Sequence, residues 1–279
     1  MSVRNDHCSP RTVLITGASS GIGAAFARIY AQKGYTLILH APSWEENNLT
    51  DLSEKLSQEY GTKSHILHGD LTDPQAPLQI FDEITALNIP VDTLVNCAGI
   101  IHYEPFHSKS WPEHERYLSI MLHASCHMIH LFIPAMIERG YGRILNVASI
   151  TGLMPGLPSI SFYGASKAFL IKFSESLAAE VALDGIHVTA LCPGMTRTGL
   201  FAPAGLEKKV SHIPELFWLD ADRVAREGFQ AVEKNIPVYI NGFINRLVVS
   251  ISNILPRKLI RHFAKKHARR IRAKAQRKL

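Results

Sequence analysis

A glycine-rich turn between an apolar strand and a helix constrains this fold more than any other feature of the sequence. Residues 12–16, TVLIT, are apolar and β-branched, which predicts a buried parallel strand. The turn TGASSGIG follows at 16–23, and residues 24–34 carry apolar side chains at helical spacing up to Gly34, a C-terminal cap. Glycines let a backbone approach pyrophosphate closely, and a helix N-terminus attracts it. The turn therefore predicts the start of a dinucleotide-binding domain.

Strands and helices alternate along the rest of the chain. Strand patterns recur at 35–42, 64–69, 91–96, 142–149, 186–191 and 237–240, and helical patterns at 45–59, 77–88, 111–138 and 221–234. Such alternation favours an α/β fold. We predict a Rossmann-like, doubly wound sheet of seven mostly parallel strands within residues 1–242, followed by a basic helical C-terminal extension at 243–279.

The formal net charge of +6 is concentrated at one end of the chain. Residues 257–279 contain eleven Lys and Arg and no acid, so without them the formal charge falls to −5. The basic pI therefore describes the tail and does not indicate a nucleic-acid-binding core. Because the tail also lacks interleaved aromatic residues, we do not expect nucleic acid as a partner.

Localisation is predicted from the N-terminus and the cysteines. The first residues contain no apolar signal-peptide region, and no run of eighteen apolar residues predicts a transmembrane helix. The four cysteines are scattered without CxxC pairs, as is typical of reduced thiols: Cys8, Cys97, Cys126 and Cys192. We therefore expect a cytoplasmic protein.

Tyr163 and Lys167 are the residues whose chemistry is most easily recognised. In a helix, residues four apart lie on one face, which would bring the Lys167 ammonium beside the Tyr163 hydroxyl. A nearby positive charge favours phenolate and lowers a tyrosine pKa that starts at about 10. The pair predicts a general acid/base near neutral pH. The alternative is an exposed Tyr and Lys without function, because an isolated YxxxK is common.

The loop after the second strand bears on cofactor choice. An Asp or Glu here would bind the ribose 2′-hydroxyl of NAD, and an Arg would bind the 2′-phosphate of NADP. Residues 40–44 contain neither, and His40, Ser43 and Trp44 are the side chains that the loop offers. The lack of an acid favours NADP(H) over NAD(H). Asp70, at the end of the third strand, could bind adenine or cap the turn that follows.

Five motifs occur in one order along residues 12–200. They are TGASSGIG at 16–23, NCAG at 96–99, Ser149, YxxxK at 163–167, and Pro193–Gly194 with Thr198. This order and spacing resembles the short-chain dehydrogenase/reductase (SDR) family. The resemblance implies an NAD(P)-dependent oxidoreductase that interconverts a carbonyl and an alcohol, and it implies a homo-oligomer.

The resemblance also implies roles for individual residues. Tyr163 would exchange a proton with the substrate oxygen, Lys167 would bind the nicotinamide ribose and lower the Tyr163 pKa, and Ser149 would polarise the substrate oxygen. Ser149 and Tyr163 are fourteen residues apart, one more than is usual, so Thr151 stays an alternative for the serine. The cofactor-binding residues would be Gly17, Ser19, Ser20, Gly21, Ile22, Gly23, His40, Asp70, Leu71, Asn96, Ala98, Gly99, Tyr163, Lys167, Pro193, Gly194, Thr196 and Thr198.

One position departs from the family pattern. Where the family places a catalytic Asn that bends its helix and supports a proton-relay water, this sequence has Met121. Methionine cannot hold a water by the same hydrogen bonds, so we expect a different or slower proton supply to Lys167. The departure keeps a second hypothesis open, a dinucleotide-binding regulatory or scaffold protein with weak or lost catalysis.

The same helix carries three histidines at positions that could share a face. His123, His127 and His130 follow one another at i, i+4 and i+7, a spacing that could bring imidazoles together for a metal. No neighbouring carboxylate or cysteine motif accompanies them. We therefore predict a packed or interface-facing helix and no metal site.

Two C-terminal segments suggest what the protein contacts. Leu200, Phe201, Phe217 and Trp218 lie beyond the sixth strand and either indicate an apolar, lipid-like substrate or pack on the fold. Further on, Ile244, Leu247, Val248, Ile251 and Leu255 repeat at helical spacing before the basic tail. A helix packed on its own fold or on a sister subunit is one interpretation. The other is peripheral contact with an anionic membrane through 257–279, which leaves a lipid-surface binding protein as a third hypothesis.

Overall fold

The fold is built on a single parallel sheet. The computed structural model describes residues 10–201, 206, 210, 213–256, 258 and 265. Seven strands pair in the order β3-β2-β1-β4-β5-β6-β7, and every pairing is parallel. The strands are β1 (Thr12–Thr16), β2 (Thr36–Ala41), β3 (Ser64–His68), β4 (Thr93–Asn96), β5 (Gly142–Val147), β6 (Ile186–Cys192) and β7 (Val238–Ile240). The predicted Rossmann-like α/β sheet is confirmed.

Helices cover both faces of this sheet. They are α1 (Gly21–Gln32), α2 (Glu46–Tyr60), α3 (Ala76–Ala86), α4 (Trp111–Leu118), α5 (Ala124–Arg139), α6 (Ser161–Glu180), α7 (Ala221–Glu233) and α8 (Phe243–Ile254). Successive strand residues point to opposite faces, so Val13 and Ile15 join one apolar cluster while Leu14 joins the other. Burial on both faces explains the nearly continuous apolar runs of the strands.

The predicted helix over 111–138 is interrupted. Residues Ser119–His123 form a π-helical turn between α4 and α5, which inserts extra backbone at the position of Met121. Among the described residues, one helical stretch, Trp111–Arg139, is long and apolar enough to cross a membrane. Met128, Ile129 and Phe132 of that stretch are buried in the apolar cluster beneath the sheet.

The strand order reverses direction between β1 and β4. In the register of the sheet, Thr16 pairs with His40 on one side and with Asn96 on the other. Thr16 and Asn96 end their strands, and His40 lies one residue before the end of β2, so all three lie along the same edge of the sheet. In open α/β sheets, ligands bind outside the carboxyl ends of strands at such a switch point. The fold brings the glycine turn and the 96–99 motif together there.

Candidate active site

The glycine turn is packed directly against the NCAG motif. Thr16 accepts hydrogen bonds at Oγ1 from the backbone N–H groups of Cys97 and Ala98, at 3.1 and 3.2 Å. Gly17 has a φ of +67°, and a Cβ there would lie 2.9 Å from the Ala98 Cα. A Cβ on Gly23 would lie 2.0 Å from the Gly17 carbonyl oxygen. Only glycine fits these two positions, because backbone occupies the space of a side chain.

The N-terminus of α1 opens onto the same crevice. Gly21 begins the helix with a φ of +54°, and a Cβ there would lie 2.9 Å from the Thr198 Cβ. Ser20 precedes the helix in extended conformation, and its side chain makes no capping hydrogen bond. Backbone amides of a first helical turn bind anions, and none of them is capped by Ser20. The turn with Ser19, Ser20 and Ile22 therefore fits the pyrophosphate of a dinucleotide.

Ser149, Tyr163 and Lys167 come together at the carboxyl ends of β5 and β6. Ser149 accepts hydrogen bonds at Oγ from the Thr151 backbone N–H and from the Thr151 hydroxyl, at 3.2 and 3.0 Å. Tyr163 lies in the first turn of α6, where its hydroxyl bonds with Ser149. Lys167 donates from Nζ to the Val147 carbonyl at 2.8 Å, and Nζ lies 5.8 Å from the Tyr163 ring centroid.

The electrostatics of this pair differ from the prediction. Burial raises the pKa of Tyr163, and the hydrogen bond with Ser149 opposes that rise only in part. Burial also lowers the pKa of Lys167 to about 8. The predicted lowering of the tyrosine pKa is therefore wrong for this structure, because desolvation of the phenolate is the largest influence on this pKa and raises it. Tyr163 is a protonated phenol at neutral pH.

Met121 occupies the space beside Lys167. The Ile100 backbone N–H donates to the Met121 sulfur at 3.4 Å. A Cβ on Gly99 would lie 3.3 Å from that sulfur and 3.9 Å from the Lys167 Nζ. The thioether therefore fills the gap between the NCAG motif and α6 with a side chain that donates no hydrogen bond.

His40 lies inside the sheet edge. Its Nε2 donates to the Gly69 carbonyl at 3.1 Å, and burial lowers its pKa to about 4. The ring is therefore neutral and held between β2 and β3. This placement differs from the prediction that the His40 side chain binds the cofactor, because the ring is buried and the carbonyl of Gly69, after β3, is its partner.

Three other residues predicted to line the adenosine side have local partners. Asp70 accepts from the Thr72 backbone N–H at 3.0 Å, which is the turn-capping alternative. Asn96 donates to the Asn146 side chain at 2.9 Å and is buried. Leu71 belongs to the apolar cluster. The side chains of Asn96 and Leu71 thus pack inside the protein beneath this edge of the sheet.

An acidic residue near the glycine turn escaped the sequence analysis. Glu45, in the short helix after β2, accepts a hydrogen bond from the Ser19 hydroxyl. It lies one residue beyond residues 40–44, the loop that contains no acid. Trp44, beside it, is 70% exposed. The Glu45 carboxylate lies near the glycine turn only because the segment after β2 folds back onto that turn.

The Pro193–Gly194 loop closes the opposite side of the crevice. The Ile150 backbone N–H donates to the Pro193 carbonyl at 3.1 Å, which ties the loop to Ser149's neighbour. Thr196 donates to the Gly194 carbonyl at 3.1 Å and is buried. Thr198 rests against Gly21, so this loop and the glycine turn form facing walls.

A narrow cleft with aromatic walls lies next to Tyr163. Its aromatic lining consists of His102, Phe106, His114, Tyr117 and Phe162, and polar or charged side chains are added by Glu104, Lys109, Ser159 and Ser161. The rings of Phe106 and His114 are stacked with centroids 4.6 Å apart, and Phe162 meets His114 edge-on at 4.9 Å. The sequence analysis missed these residues, since they come from three separate segments and share no spacing.

Other predicted residues stand apart from this cleft or outside the described side chains. Arg197 lies over the Trp218 ring at 5.5 Å, and Phe217 is partly buried. The Phe201 side chain and most of 257–279 are outside the described residues. His123 and His127 have ring centroids 5.2 Å apart. Within the part of the chain that the structure describes, no group of three His, Cys, Asp or Glu side chains could hold a metal.

Comparison with known proteins decides the family. A sequence model described as short chain dehydrogenase matches residues 11–209. The chain belongs to the short-chain dehydrogenase family. Members of this family are NAD(P)-dependent oxidoreductases acting on carbonyl or CH–OH groups, and so is this chain.

Relatives of this short-chain dehydrogenase have related activities. Sulfoacetaldehyde reductase 2 of Chromohalobacter salexigens is 36% identical over 188 residues, which cover 67% of this chain and 73% of the relative. Oxidoreductase UcpA of Salmonella typhimurium is 34% identical over 191 residues, covering 67% and 70%. The structure of a Sphingobium yanoikuyae short-chain dehydrogenase in complex with NADPH superimposes with a TM-score of 0.77 at 28% identity, covering 88% of this chain and 96% of that one.

Proposed function

We propose that this short-chain dehydrogenase reduces an apolar carbonyl compound to an alcohol at the Ser149–Tyr163–Lys167 site. The observation that carries this proposal is the protonated hydroxyl of the half-buried Tyr163, hydrogen-bonded with Ser149 beside the dinucleotide crevice. A phenol with a raised pKa is a proton donor at neutral pH. Donation to a substrate oxygen is the direction of carbonyl reduction.

Each residue has a distinct task in this mechanism. A nicotinamide cofactor held in the crevice would supply the hydride for the carbonyl carbon. Ser149 holds the carbonyl oxygen by a hydrogen bond, which stabilises the negative charge that develops there. Tyr163 delivers its proton to that oxygen. Lys167, held by the Val147 carbonyl, stabilises the phenolate left behind. Thr151 donates to Ser149 and positions its hydroxyl.

The preference for an apolar substrate rests on the cleft beside Tyr163. Phe106 and Phe162 form an edge-to-face pair at 5.4 Å, and Tyr117 lies behind them. Aromatic walls favour apolar ligands because they offer contact area and few hydrogen bonds.

For the cofactor we propose NADP(H), with Glu45 limiting the preference over NAD(H). A 28% identical dehydrogenase of the same fold was solved with NADPH, and residues 40–44 contain no acid. The Glu45 carboxylate on Ser19 would repel a 2′-phosphate nearby.

Replacing Glu45 tests this balance. Glu45→Gln keeps a hydrogen-bond acceptor and removes the charge, so we expect NADPH binding to strengthen about fivefold relative to NADH. Titration of protein fluorescence with each nucleotide measures both affinities. Glu46→Gln, the neighbouring exposed acid, is the matched control. An unchanged NADPH/NADH ratio in Glu45→Gln would remove Glu45 from cofactor selection.

The experiment that tests the function is oxidation of NADPH and NADH over a panel of aldehydes and ketones that includes long-chain ones. Tyr163→Phe removes the proton donor and should lower turnover by about 10²- to 10⁴-fold while leaving nucleotide binding intact. Tyr60→Phe, at the exposed end of α2, is the control and should keep full activity. Equal turnover in Tyr163→Phe and Tyr60→Phe would refute the proposed acid.

A second candidate function rests on Met121. Because its sulfur fills the gap beside Lys167, the chain could bind a dinucleotide as a regulatory protein with weak catalysis. Nucleotide binding without turnover on any compound of the panel, together with turnover gained in Met121→Asn, would support this alternative.

Three coarser expectations remain proposals. We propose that residues 1–242 form the catalytic domain and that 243–279 form an extension. We also propose a homo-oligomer, as the family resemblance implies. The excess of cations in 257–279 supports binding of that segment to an anionic membrane surface.

A further inference from the structure

Helix α8 exposes its apolar face. Phe243, Leu247, Ile251 and Ile254 are 74%, 49%, 49% and 82% exposed. They follow one another at steps of four, four and three residues, so they form a single stripe along the helix. We call these four residues the α8 stripe. Helices on a protein surface ordinarily direct polar residues outward.

The opposite face of α8 fixes the helix to the body of the fold. Asn245 and Val249 are buried, and Asn245 donates to the Asn241 carbonyl at 2.8 Å. A Cβ on Gly194 would lie 2.4 Å from the Asn245 side-chain oxygen, so the first turn of α8 lies behind the Pro193–Gly194 loop. Arg246 and Ser250 are exposed polar residues on one flank of the stripe. The stripe is therefore held outward by a rigid attachment.

We propose that the α8 stripe docks into the headgroup region of an anionic lipid membrane. This rests on the proposed binding of 257–279 to such a surface, and it adds the apolar contact. The eleven Lys and Arg of that segment begin three residues after the helix ends, so anionic headgroups complement the charge that follows the stripe in the sequence. Apolar side chains combined with adjacent cations are what interfacial helices use.

A lipid surface suits the α8 stripe better than a second copy of the chain does. Another copy carries the same eleven cations, and the formal charge of −5 on the rest of its chain is less than half of what would neutralise them. Anionic lipid instead attracts each Lys or Arg near its surface.

Flotation of the full-length protein with vesicles tests this proposal. The vesicles contain phosphatidylcholine alone or phosphatidylcholine with phosphatidylglycerol. We expect binding only to the second kind, and we expect Leu247→Glu/Ile251→Glu to weaken it by about tenfold or more. Leu183→Glu/Leu78→Glu adds the same two charges to leucines exposed elsewhere and should bind nearly as the unaltered protein does. Turnover of a water-soluble carbonyl should be equal in all three proteins.

Each of the other outcomes would contradict the proposed docking of the α8 stripe, and the outcomes can be told apart. If salt releases the protein while Leu247→Glu/Ile251→Glu still binds like the control, the tail binds lipid and the stripe does not. If no variant floats, both the tail and the stripe proposals fail, while the turnover assay still reports on the oxidoreductase. If the double substitution changes only the sedimentation coefficient, a second copy covers the stripe.

Discussion

Helices α6 and α8 depart from the usual polarity of a surface helix in opposite directions. Helix α6 buries a cation, Lys167, together with Ser166 and Ser174, while Phe169 on it is 45% exposed. Helix α8 buries Asn245 and exposes the α8 stripe. In α6 a buried polar group is held by a partner, since Lys167 donates to the Val147 carbonyl. In α8 the exposed apolar group has no such partner among the described residues.

This difference separates two kinds of cost. A buried ammonium loses hydration, which destabilises the fold, and such a group is retained where its chemistry is needed. An exposed apolar stripe costs little folding stability, because its side chains are exposed to water in the folded state much as they are in the unfolded chain. We therefore expect substitutions in α6 to trade activity against stability. Substitutions in the α8 stripe should change what the protein binds, and they should leave activity and stability nearly constant.

The largest expected effect is that of Lys167→Met. Turnover should fall by about 10²-fold or more, since the phenolate of Tyr163 loses its stabilising charge. At pH 7 the variant should nonetheless be more stable, because a buried charge has been removed. Its free energy of unfolding should rise by roughly 1–3 kcal/mol, which denaturant unfolding curves would measure. Lys172→Met, an exposed lysine on the same helix, should change neither quantity.

The stability gain should depend on pH in a defined direction. Burial lowers the Lys167 pKa to about 8, below its value in the unfolded chain. The unfolded state then binds more protons between about pH 8 and 10.5, so the stability of the unaltered protein should rise across that range. Chemical denaturation at pH 7.5 and 9.5 compares the two proteins. A constant difference between Lys167→Met and the unaltered protein would contradict the buried charge.

The next effect concerns the direction of the reaction. Alcohol oxidation needs the phenolate form of Tyr163, which is scarce at neutral pH because the Tyr163 pKa is raised. The rate of oxidation should therefore rise about tenfold per pH unit. Carbonyl reduction uses the protonated phenol and should stay level to about pH 8, then fall as Lys167 loses its proton. Initial rates in both directions from pH 6 to 10 test this. An oxidation rate that levels off near pH 7 would show a tyrosine pKa lowered by its neighbours.

The smallest effects separate the two faces of α8. Val249→Ala removes buried methyl groups and should destabilise the fold by about 1–2 kcal/mol. Leu247→Ala, on the exposed face, should stay within about 0.5 kcal/mol. Urea unfolding curves of both variants provide the comparison. Equal losses would mean that the stripe is covered by the fold or by a partner in solution.

The predicted elements agree with the structure where local patterns are strong. The strand ending at Thr16, the glycine turn and helix α1 follow from β-branched runs, glycines and apolar spacing. The helix predicted over 111–138 contains a π turn, since no local signal marks where extra backbone is inserted. Glu45 was overlooked because a hydrogen bond across 26 residues has no trace in local sequence.

The sequence by itself determined the family, the parallel sheet and the order of its motifs, because periodicity and glycine positions depend on neighbouring residues. Tertiary structure alone decided the ionisation of Tyr163 and Lys167, since desolvation depends on what surrounds a group and not on its spacing. It likewise decided that Asn245 faces inward and Phe243 outward on α8. Helical spacing shows that a helix has two faces, and only packing selects the one that is buried.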